Sequence, residues 1–277
     1  MKNFKTQLIR IKGIAGMFYK VPGRNTHRIV IYGIGAPLPP DSGNLSDANH
    51  ILDFDVDLFV PDYIGYGRSE GKFTPKNCIK TFLLLHKEFI KGCKTMNRYE
   101  QKTSELTYKE LFFIGRSFGG AFVPLLPRYN NTIKNLCLLY PVVDPLTWIR
   151  HSDGDALTQE ETSDDFIKTM IHDGYKYLYR GIMSKIWLNH FKNKDGLSPM
   201  ENIKFLKKAK LFIGHGQNDI RINPIHSMKY HKMIINKFPE RINQFMLRVY
   251  KNGDHSQKTS NKAVRDFLTW MRVPVGV

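Results

Sequence analysis

Short apolar runs alternate with longer amphipathic segments along most of the chain. The runs predict six β-strands, at residues 28–32, 56–60, 111–114, 136–140, 211–213 and 244–250. Between residues 74 and 92, apolar side chains recur at helical spacing, and Pro75 stands where a first-turn proline is tolerated. Strands that alternate with helices predict an α/β fold with a mostly parallel sheet and helices on both faces.

The two ends of the pattern complete the predicted sheet and its helices. Residues 7–14 and 17–21 predict an antiparallel pair of strands with a turn at Gly16, which brings the sheet to eight strands. Further helices are predicted at residues 121–126, ending near Pro127, and at residues 224–237 and 261–271. The sequence therefore predicts one α/β domain over residues 1–277.

The segment of about residues 145–206 interrupts this alternation. A helix is predicted to start near residues 163–165, and a second one places Ile186, Trp187, His190 and Phe191 on one face. The segment is rich in aromatic residues, and no Gly, Ser or Pro linker separates it from the rest. We interpret it as a helical cap inserted into the domain.

Composition and charge limit the partners and the cellular location to be expected for this chain. The formal net charge is +17, from 42 Lys and Arg against 25 Asp and Glu, but the basic residues are scattered rather than clustered with aromatic residues. We expect a solvated basic surface and no nucleic-acid partner. No stretch approaches the roughly 18 apolar residues of a spanning helix, and residues 1–19 contain no secretory signal pattern. The three cysteines match no disulfide or metal motif, so a cytoplasmic protein is expected.

The strongest local motif is G-R-S-F-G-G at residues 115–120, which fits the pattern G-x-S-x-G. A serine on a sharp strand-to-helix turn projects its hydroxyl outward, and the glycines two residues away let the turn close. A predicted strand precedes this motif and a helix-like run follows it. The pattern predicts that Ser117 is a nucleophile.

A serine hydroxyl needs a base that removes its proton. Of the ten histidines, His255 has the best context, because it follows the last strand in the loop N-G-D-H-S and precedes the last helix. His215, in G-H-G at the end of a strand, is interpreted as a structural or pocket-lining residue. His226 and His231 fall on a predicted helix.

The histidine in turn needs an acid that fixes its tautomer. Asp219, in the loop G-Q-N-D after the penultimate strand, is favoured over Asp144, which ends the preceding strand and is expected to cap the inserted segment. Ser117, Asp219 and His255 then follow one another in the order nucleophile, acid, base, which is one of the known chain orders of a catalytic triad.

The oxyanion formed during acyl transfer needs two hydrogen-bond donors. The backbone N–H of Phe118, directly after the nucleophile, is one candidate. The second is predicted in the loop after the strand at residues 28–32, where Ile34 is preferred and Gly35 is next.

With these residues identified, the chain resembles the α/β-hydrolase superfamily over nearly its full length. The resemblance rests on five stretches: G-I-G at 33–35, D-Y-I-G-Y-G-R-S at 62–69, the motif at 115–120, G-Q-N-D at 216–219 with Pro224, and G-D-H at 253–255. The sequences G-R-S-F-G-G and Y-P-V-V-D look most like the catalytic domain of prolyl oligopeptidases. They also resemble the related small esterases with a helical lid, such as feruloyl-esterase-like and monoacylglycerol-lipase-like enzymes. Tyr32 departs from the pattern, because many relatives carry histidine there.

The resemblance implies a two-step acyl transfer through Ser117, with no metal or organic cofactor. The chain carries no propeller-sized region before the motifs, which favours esters over peptides as substrates. A small-molecule ester would bind between the sheet edge and the cap, against Gly35, Trp148, Tyr175, Tyr179 and Trp187. Alternatives are a peptidase or amidase with the same triad, and a non-catalytic ligand-binding member of the fold. The natural substrate and the oligomeric state stay open.

Overall fold

A central eight-stranded sheet organises the chain. The computed structural model describes residues 4–96, 103–145, 167–171 and 175–276. The strands are β1 Lys5–Ile11, β2 Ile14–Lys20, β3 Arg28–Gly33, β4 Asp57–Pro61, β5 Cys93–Met96, β6 Thr103–Leu106, β7 Glu110–Arg116, β8 Asn135–Leu139, β9 Lys210–Gly216 and β10 Phe245–Tyr250. The sheet has the order β1-β2-β4-β3-β7-β8-β9-β10, and β5 and β6 form a separate hairpin. The six strands from β4 to β10 in this order are parallel, and β2 pairs antiparallel with both β1 and β4. This is the predicted α/β-hydrolase sheet.

Six α-helices and four 3₁₀-helices have named bounds. The α-helices are α1 Ala48–Leu52, α2 Pro75–Lys91, α3 Leu126–Tyr129, α4 Ser184–Phe191, α5 Pro224–Lys237 and α6 Gln257–Trp270. The 3₁₀-helices are Ser117–Ala121, Val123–Leu125, Met200–Lys208 and Pro239–Gln244, and residues 167–171 are also helical.

Helices cover both faces of the sheet, as the sequence predicts. Phe112 and Phe113 are consecutive in β7, so their side chains point to opposite faces. The ring of Phe112 packs edge-on against Phe267 of α6, and the ring of Phe113 packs edge-on against Phe82 of α2. Helices α2 and α6 therefore lie on opposite sides of the sheet, and the apolar core fills both interfaces.

The first hairpin differs from its prediction. The antiparallel pair is present, but its turn lies at Lys12 and Gly13, which both have positive φ, and not at Gly16. Gly16 is inside β2, where a Cβ atom would lie 2.5 Å from the carbonyl oxygen of Val60. The glycine serves the close approach of β2 and β4 rather than a turn.

The helix predicted at residues 121–126 is also different. Two short 3₁₀-helices precede α3, and α3 itself includes Pro127 in its first turn. A proline there loses no helical hydrogen bond, so it does not end the helix. The hairpin of β5 and β6 was not predicted.

Parts of the predicted cap are described. The segment at residues 175–180 docks on the loop after β4 through backbone hydrogen bonds: Gly67 N–H to Leu178 O, Phe73 N–H to Arg180 O, and Arg180 N–H to Gly65 O, each 2.8 Å. Helix α4 and the 3₁₀-helix at Met200–Lys208 follow on the way to β9. Trp148 lies outside the described residues, as do residues 163–165, the predicted start of a helix.

Candidate active site

The three predicted triad residues lie at one edge of the sheet. Ser117 directly follows β7, Asp219 lies in the loop after β9, and His255 lies in the loop after β10. Because these strands are parallel, their carboxyl ends meet at the same edge. Side chains far apart in sequence are thereby brought into contact.

Ser117 sits on a strained turn that glycines make possible. Its φ is +52°, in the left-handed region that a non-glycine residue rarely adopts. A Cβ on Gly119 would lie 2.5 Å from Gly33 O, and one on Gly115 would lie 2.5 Å from Gly119 O. A Cβ on Gly120 would lie 2.4 Å from Cβ of Pro141. Only glycines fit these positions, so the spacing of the motif follows from packing.

The side chains form a continuous chain of contacts. His255 Nε2 lies 3.2 Å from Ser117 Oγ, and His255 Nδ1 lies 2.8 Å from Asp219 Oδ2. A carboxylate accepts hydrogen bonds, so the Nδ1 proton faces Asp219 and the Nε2 lone pair faces the serine hydroxyl. This tautomer can remove the hydroxyl proton. The carboxylate that contacts His255 is the favoured Asp219 and not its rival Asp144.

Asp219 is buried but rich in hydrogen-bond donors. Its Oδ1 accepts from the backbone N–H groups of Arg221 at 2.8 Å and Ile222 at 2.9 Å. Burial alone would raise its pKa, but hydrogen bonds from His215 and His255 hold the pKa of Asp219 well below its usual value. The group is therefore a stable anion beside the imidazole.

His215 supports the acid from behind, in line with its predicted structural role. Its Nε2 lies 3.0 Å from Ile222 O and 3.2 Å from Asp219 Oδ2, and its Nδ1 lies 2.7 Å from Ser227 Oγ. Both neighbours of Nε2 are acceptors, so Nε2 carries the proton and Nδ1 accepts from the serine hydroxyl. The fully buried ring ties α5 to the loop of Asp219.

The predicted oxyanion residues surround the nucleophile. Phe118 directly follows Ser117 in the first turn of the 3₁₀-helix Ser117–Ala121. On the other side, a Cβ on Gly35 would lie 3.2 Å from Cβ of Ser117 and 3.6 Å from its Oγ, so the loop after β3 runs directly beside the hydroxyl. The carbonyl of Ile34 accepts a 3.0 Å hydrogen bond from the hydroxyl of Tyr63. That bond fixes the orientation of the peptide between Ile34 and Gly35.

The loop after β4 holds Tyr63 against the loop of Ile34, beside the nucleophile. Asp62 accepts hydrogen bonds of 2.7, 2.8 and 2.9 Å from the backbone N, Nε and Nη2 of Arg68, and Ser69 Oγ donates to Asp62 O at 2.7 Å. These bonds close the loop at residues 62–69 on itself. Sequence analysis identified this motif only through resemblance; its contact with the candidate oxyanion loop required the structure.

Two of the predicted substrate-binding residues lie in a closed aromatic cluster. Trp187 is 0% exposed and stacks on Phe73 at 4.8 Å between ring centroids, while its Nε1 donates to Phe73 O at 3.2 Å. Tyr179 is 1% exposed and packs on Phe73 at 4.8 Å. Phe118 joins the cluster through Trp187, at 5.7 Å. The cluster thus links α4 of the predicted cap to the turn that carries Ser117.

The remaining predicted substrate contacts have different positions. Tyr175 is half-buried at the margin of this cluster, 6.4 Å from Tyr179 between ring centroids. Gly35 lies beside Ser117, as described above. Trp148 falls outside the described residues. Tyr140, which was not among the predicted site residues, contacts the ring of His255 at 4.2 Å between ring centroids; its signals in the sequence were its place after β8 and the stretch Y-P-V-V-D.

Among the described residues, no group of three or more His, Cys, Asp or Glu side chains is placed to hold a metal ion. Within the same part of the chain, none of the helices combines the length and apolar character needed to cross a membrane.

Comparison with models of known families shows to which family the chain belongs. The model of the prolyl oligopeptidase family matches residues 86–275, a range that includes Ser117, Asp219 and His255. The chain belongs to the prolyl oligopeptidase family. It is a hydrolase of the α/β-hydrolase fold, as the sequence resemblance implies. No curated protein matches its sequence.

Solved structures of other proteins share the fold of this chain. Oligopeptidase B from Trypanosoma brucei, solved with covalently bound antipain, has a TM-score of 0.59 and 16% identity, over 98% of this chain and 37% of that chain. Monoacylglycerol lipase from Paleococcus ferrophilus has a TM-score of 0.56 and 14% identity, over 89% of this chain and 96% of that chain. Bromoperoxidase from Bacillus anthracis has a TM-score of 0.58 and 16% identity, over 98% of this chain and 100% of that chain.

Proposed function

We propose that this hydrolase cleaves carboxylic esters through an acyl-enzyme on Ser117. The observation that carries the proposal is the chain of contacts from Ser117 Oγ to His255 Nε2, at 3.2 Å, and from His255 Nδ1 to Asp219 Oδ2, at 2.8 Å. These contacts fit the roles of nucleophile, general base and orienting acid.

The reaction takes place in two steps. Ser117 Oγ attacks the ester carbonyl while His255 Nε2 takes its proton, and the protonated imidazole then gives that proton to the departing alcohol. Water repeats the sequence on the acyl-enzyme and releases the acid. Asp219 stays ionised throughout, because its low pKa keeps it an acceptor for the imidazolium.

The oxyanion would be held by backbone N–H groups of Phe118 and of the loop at Ile34 or Gly35. Gly35 lies beside Ser117, and the hydrogen bond from Tyr63 to Ile34 O holds the adjoining peptide rigid. Donors fixed before the reaction are more effective than mobile ones, because they need no reorganisation when charge develops.

We infer that the segment of about residues 145–206 acts as a cap over the site. Its described part is anchored at two points on the stretch between β4 and α2: the segment at residues 175–180 bonds to the loop after β4, and Trp187 packs on Phe73. Among the aromatic residues predicted to contact substrate, Tyr175 is the most exposed one described and is the first candidate for such a contact. Trp187 and Tyr179 support the cap from within the aromatic cluster.

A series of p-nitrophenyl esters, from short to long acyl chains, tests the proposal against the Ser117→Ala variant. We expect hydrolysis by the wild-type protein, a preferred chain length, and loss of about three orders of magnitude or more in the variant. A fluorophosphonate should label wild-type Ser117 and leave the variant unlabelled. Equal hydrolysis by both proteins would contradict Ser117 as the nucleophile. Absence of both hydrolysis and labelling in the wild type would favour a non-catalytic ligand binder.

Peptide or amide cleavage is the second candidate. Membership of the prolyl oligopeptidase family supports it, as does the shared fold of oligopeptidase B, which was solved with antipain bound covalently. The lipase favours the ester proposal, because this fold makes up 96% of that chain, against 37% of the oligopeptidase. Comparing kcat/KM for matched aminoacyl esters and aminoacyl amides separates the two: a preference for the amide would reject ester cleavage as the main activity.

A further inference from the structure

Tyr140 occupies a strained and buried position behind the candidate triad. It directly follows β8, its φ is +36°, and its side chain is 0% exposed. A tyrosine rarely adopts this left-handed conformation, which costs free energy unless the surroundings hold it. Its N–H donates a 2.7 Å hydrogen bond to Gly214 O, and the next residue, Pro141, packs on Gly120 of the nucleophile turn.

The strained backbone places the tyrosine ring against the imidazole of His255. The two ring centroids lie 4.2 Å apart with 47° between the planes. The phenol hydroxyl donates to the carbonyl of Ser256 at 3.4 Å. Tyr140 therefore contacts both the histidine ring and the backbone that follows it.

A network of buried polar groups surrounds the other parts of Tyr140. The guanidinium of Arg116 lies 5.6 Å from the ring centroid. Asp47 accepts hydrogen bonds from the hydroxyls of Tyr32 and, at 2.7 Å, of Ser260. Burial raises the pKa of Asp47. Tyr32 and Arg116 lie at the ends of β3 and β7, Ser260 lies in α6, and Asp47 directly precedes α1. The network therefore joins the segments that carry the oxyanion loop, the nucleophile and the histidine.

We propose that Tyr140 is a positioning residue for His255, which holds the imidazole in place and stabilises its protonated form. The inference rests on the proposed function. When Ser117 Oγ bonds to the carbonyl carbon, its proton moves to His255 Nε2, and the ring becomes a cation until the proton passes to the leaving group. A cation within about 6 Å of an aromatic face is attracted by the electron density of that face. The attraction acts on the imidazolium and not on the neutral ring, so it favours the transition state.

Other charges near His255 act on the same protonation equilibrium. Asp219 favours the imidazolium through its contact with Nδ1, and His215 stands behind Asp219. Arg116 carries a positive charge at the carboxyl end of β7, next to Ser117, and Asp254 precedes His255 in its loop. A test must therefore change the electron density of the Tyr140 ring without moving these groups.

A matched pair of variants does this: Tyr140→Phe, and the same position with a fluorinated phenylalanine. Both keep the shape of the ring, but fluorine withdraws electron density from its face. The readout is the pKa of His255, followed by NMR titration of the histidine resonances in the full chain, with His255→Asn for assignment. This measurement needs no turnover, so an inactive wild-type protein would count against the proposed function and not against this inference.

We expect Tyr140→Phe to keep the pKa of His255 close to that of the wild type. The fluorinated ring should lower it by about 0.5 to 1 pKa unit, the size of a partly desolvated cation–π contact. If esters are hydrolysed, the acid limb of kcat/KM should shift by the same amount while KM changes little. Equal pKa values of His255 in the two variants, whether both unchanged or both lowered relative to the wild type, would overturn the proposal.

Discussion

Two buried carboxylates at opposite ends of the parallel strands show how differently the same side chain behaves. Asp219 lies at the carboxyl edge, after β9, and Asp57 lies at the amino end of β4; they are 3% and 1% exposed. The pKa of Asp219 is well below its usual value, whereas the pKa of Asp57 is raised from 3.8 to about 6.

The number of hydrogen-bond donors accounts for the difference. Asp219 faces two backbone N–H groups and two histidine rings. Asp57 accepts one hydrogen bond, of 2.7 Å from the hydroxyl of Tyr108, and its Oδ1 has no hydrogen-bond partner among the described residues. Burial penalises both anions, and only a full set of donors compensates for it. The carboxyl edge is thus organised around a stable charge, and the amino edge is not.

The largest expected effect is a difference in catalytic activity between variants of the two carboxylates. Asp219→Asn should lower kcat on the best p-nitrophenyl ester by about four orders of magnitude, because the amide no longer selects the required tautomer of His255. Asp57→Asn, the matched change at the other edge, should alter kcat less than about twofold. Similar losses in both variants would mean that the effect of Asp219→Asn is structural.

The next effect is the dependence of stability on pH. Asp57 has a folded pKa of about 6 against 3.8 in an unfolded chain, so its ionisation favours unfolding. Its contribution is neutral below pH 3.8, and the fold loses about 3 kcal/mol from this group as pH rises through 6.

Urea unfolding of the wild type and of Asp57→Asn at pH 4 and pH 7 measures this loss. The variant should gain about 2.5 kcal/mol relative to the wild type between the two pH values, because pH 4 already lies slightly above the unfolded pKa. For Asp219 the sign is opposite: its stabilisation is present above its unfolded pKa and is lost as pH falls through its lower folded value. An unchanged difference between variant and wild type across this range would show that Asp57 is not perturbed.

A smaller effect tests whether the number of hydrogen-bond donors determines the pKa of Asp57. Tyr108→Phe removes the hydroxyl that donates to Asp57 and should raise the pKa of that carboxyl further. We expect a loss of about 1–2 kcal/mol at pH 7, a smaller loss at pH 4, and unchanged ester hydrolysis. An equal loss at both pH values would attribute the effect to packing instead.

The smallest effect concerns the support of Asp219. Ser227→Ala leaves Nδ1 of the buried His215 without the hydroxyl at 2.7 Å, at a cost of about 1 kcal/mol of stability. Because the two backbone donors of Asp219 remain, kcat should fall only a few-fold. A loss as large as that of Asp219→Asn would show that His215, and not the backbone, maintains the carboxylate.

Much of the fold could be predicted from sequence because it depends on local pattern. The strands at the centre of the sheet are short apolar runs, and helix α5 starts and ends where its proline and lysines predict. The glycines around Ser117 also carry their signal locally, since each excludes a Cβ from a fixed neighbour. The chain order Ser117, Asp219, His255 needed only the assumption that parallel strands end at one edge.

Two local predictions failed, at Gly16 and near Pro127. Gly16 resembles a turn residue, but its neighbour is Val60 in a strand that pairs with β2. Pro127 resembles a helix terminator, but the helix begins only one residue earlier. The role of Gly16 thus depends on a strand distant in sequence, and the role of Pro127 depends on where its helix starts.

The sequence by itself determined the class of fold, the nucleophile motif and the candidate triad, because these follow from periodicity, glycine sterics and strand order. The tertiary structure alone decided the environment of each group. It placed Trp187 and Tyr179 inside an aromatic cluster, gave Asp219 its donors while leaving Asp57 with one, and set the ring of Tyr140 against His255. Burial and hydrogen bonding between distant segments depend on three-dimensional proximity, and no local pattern encodes that proximity.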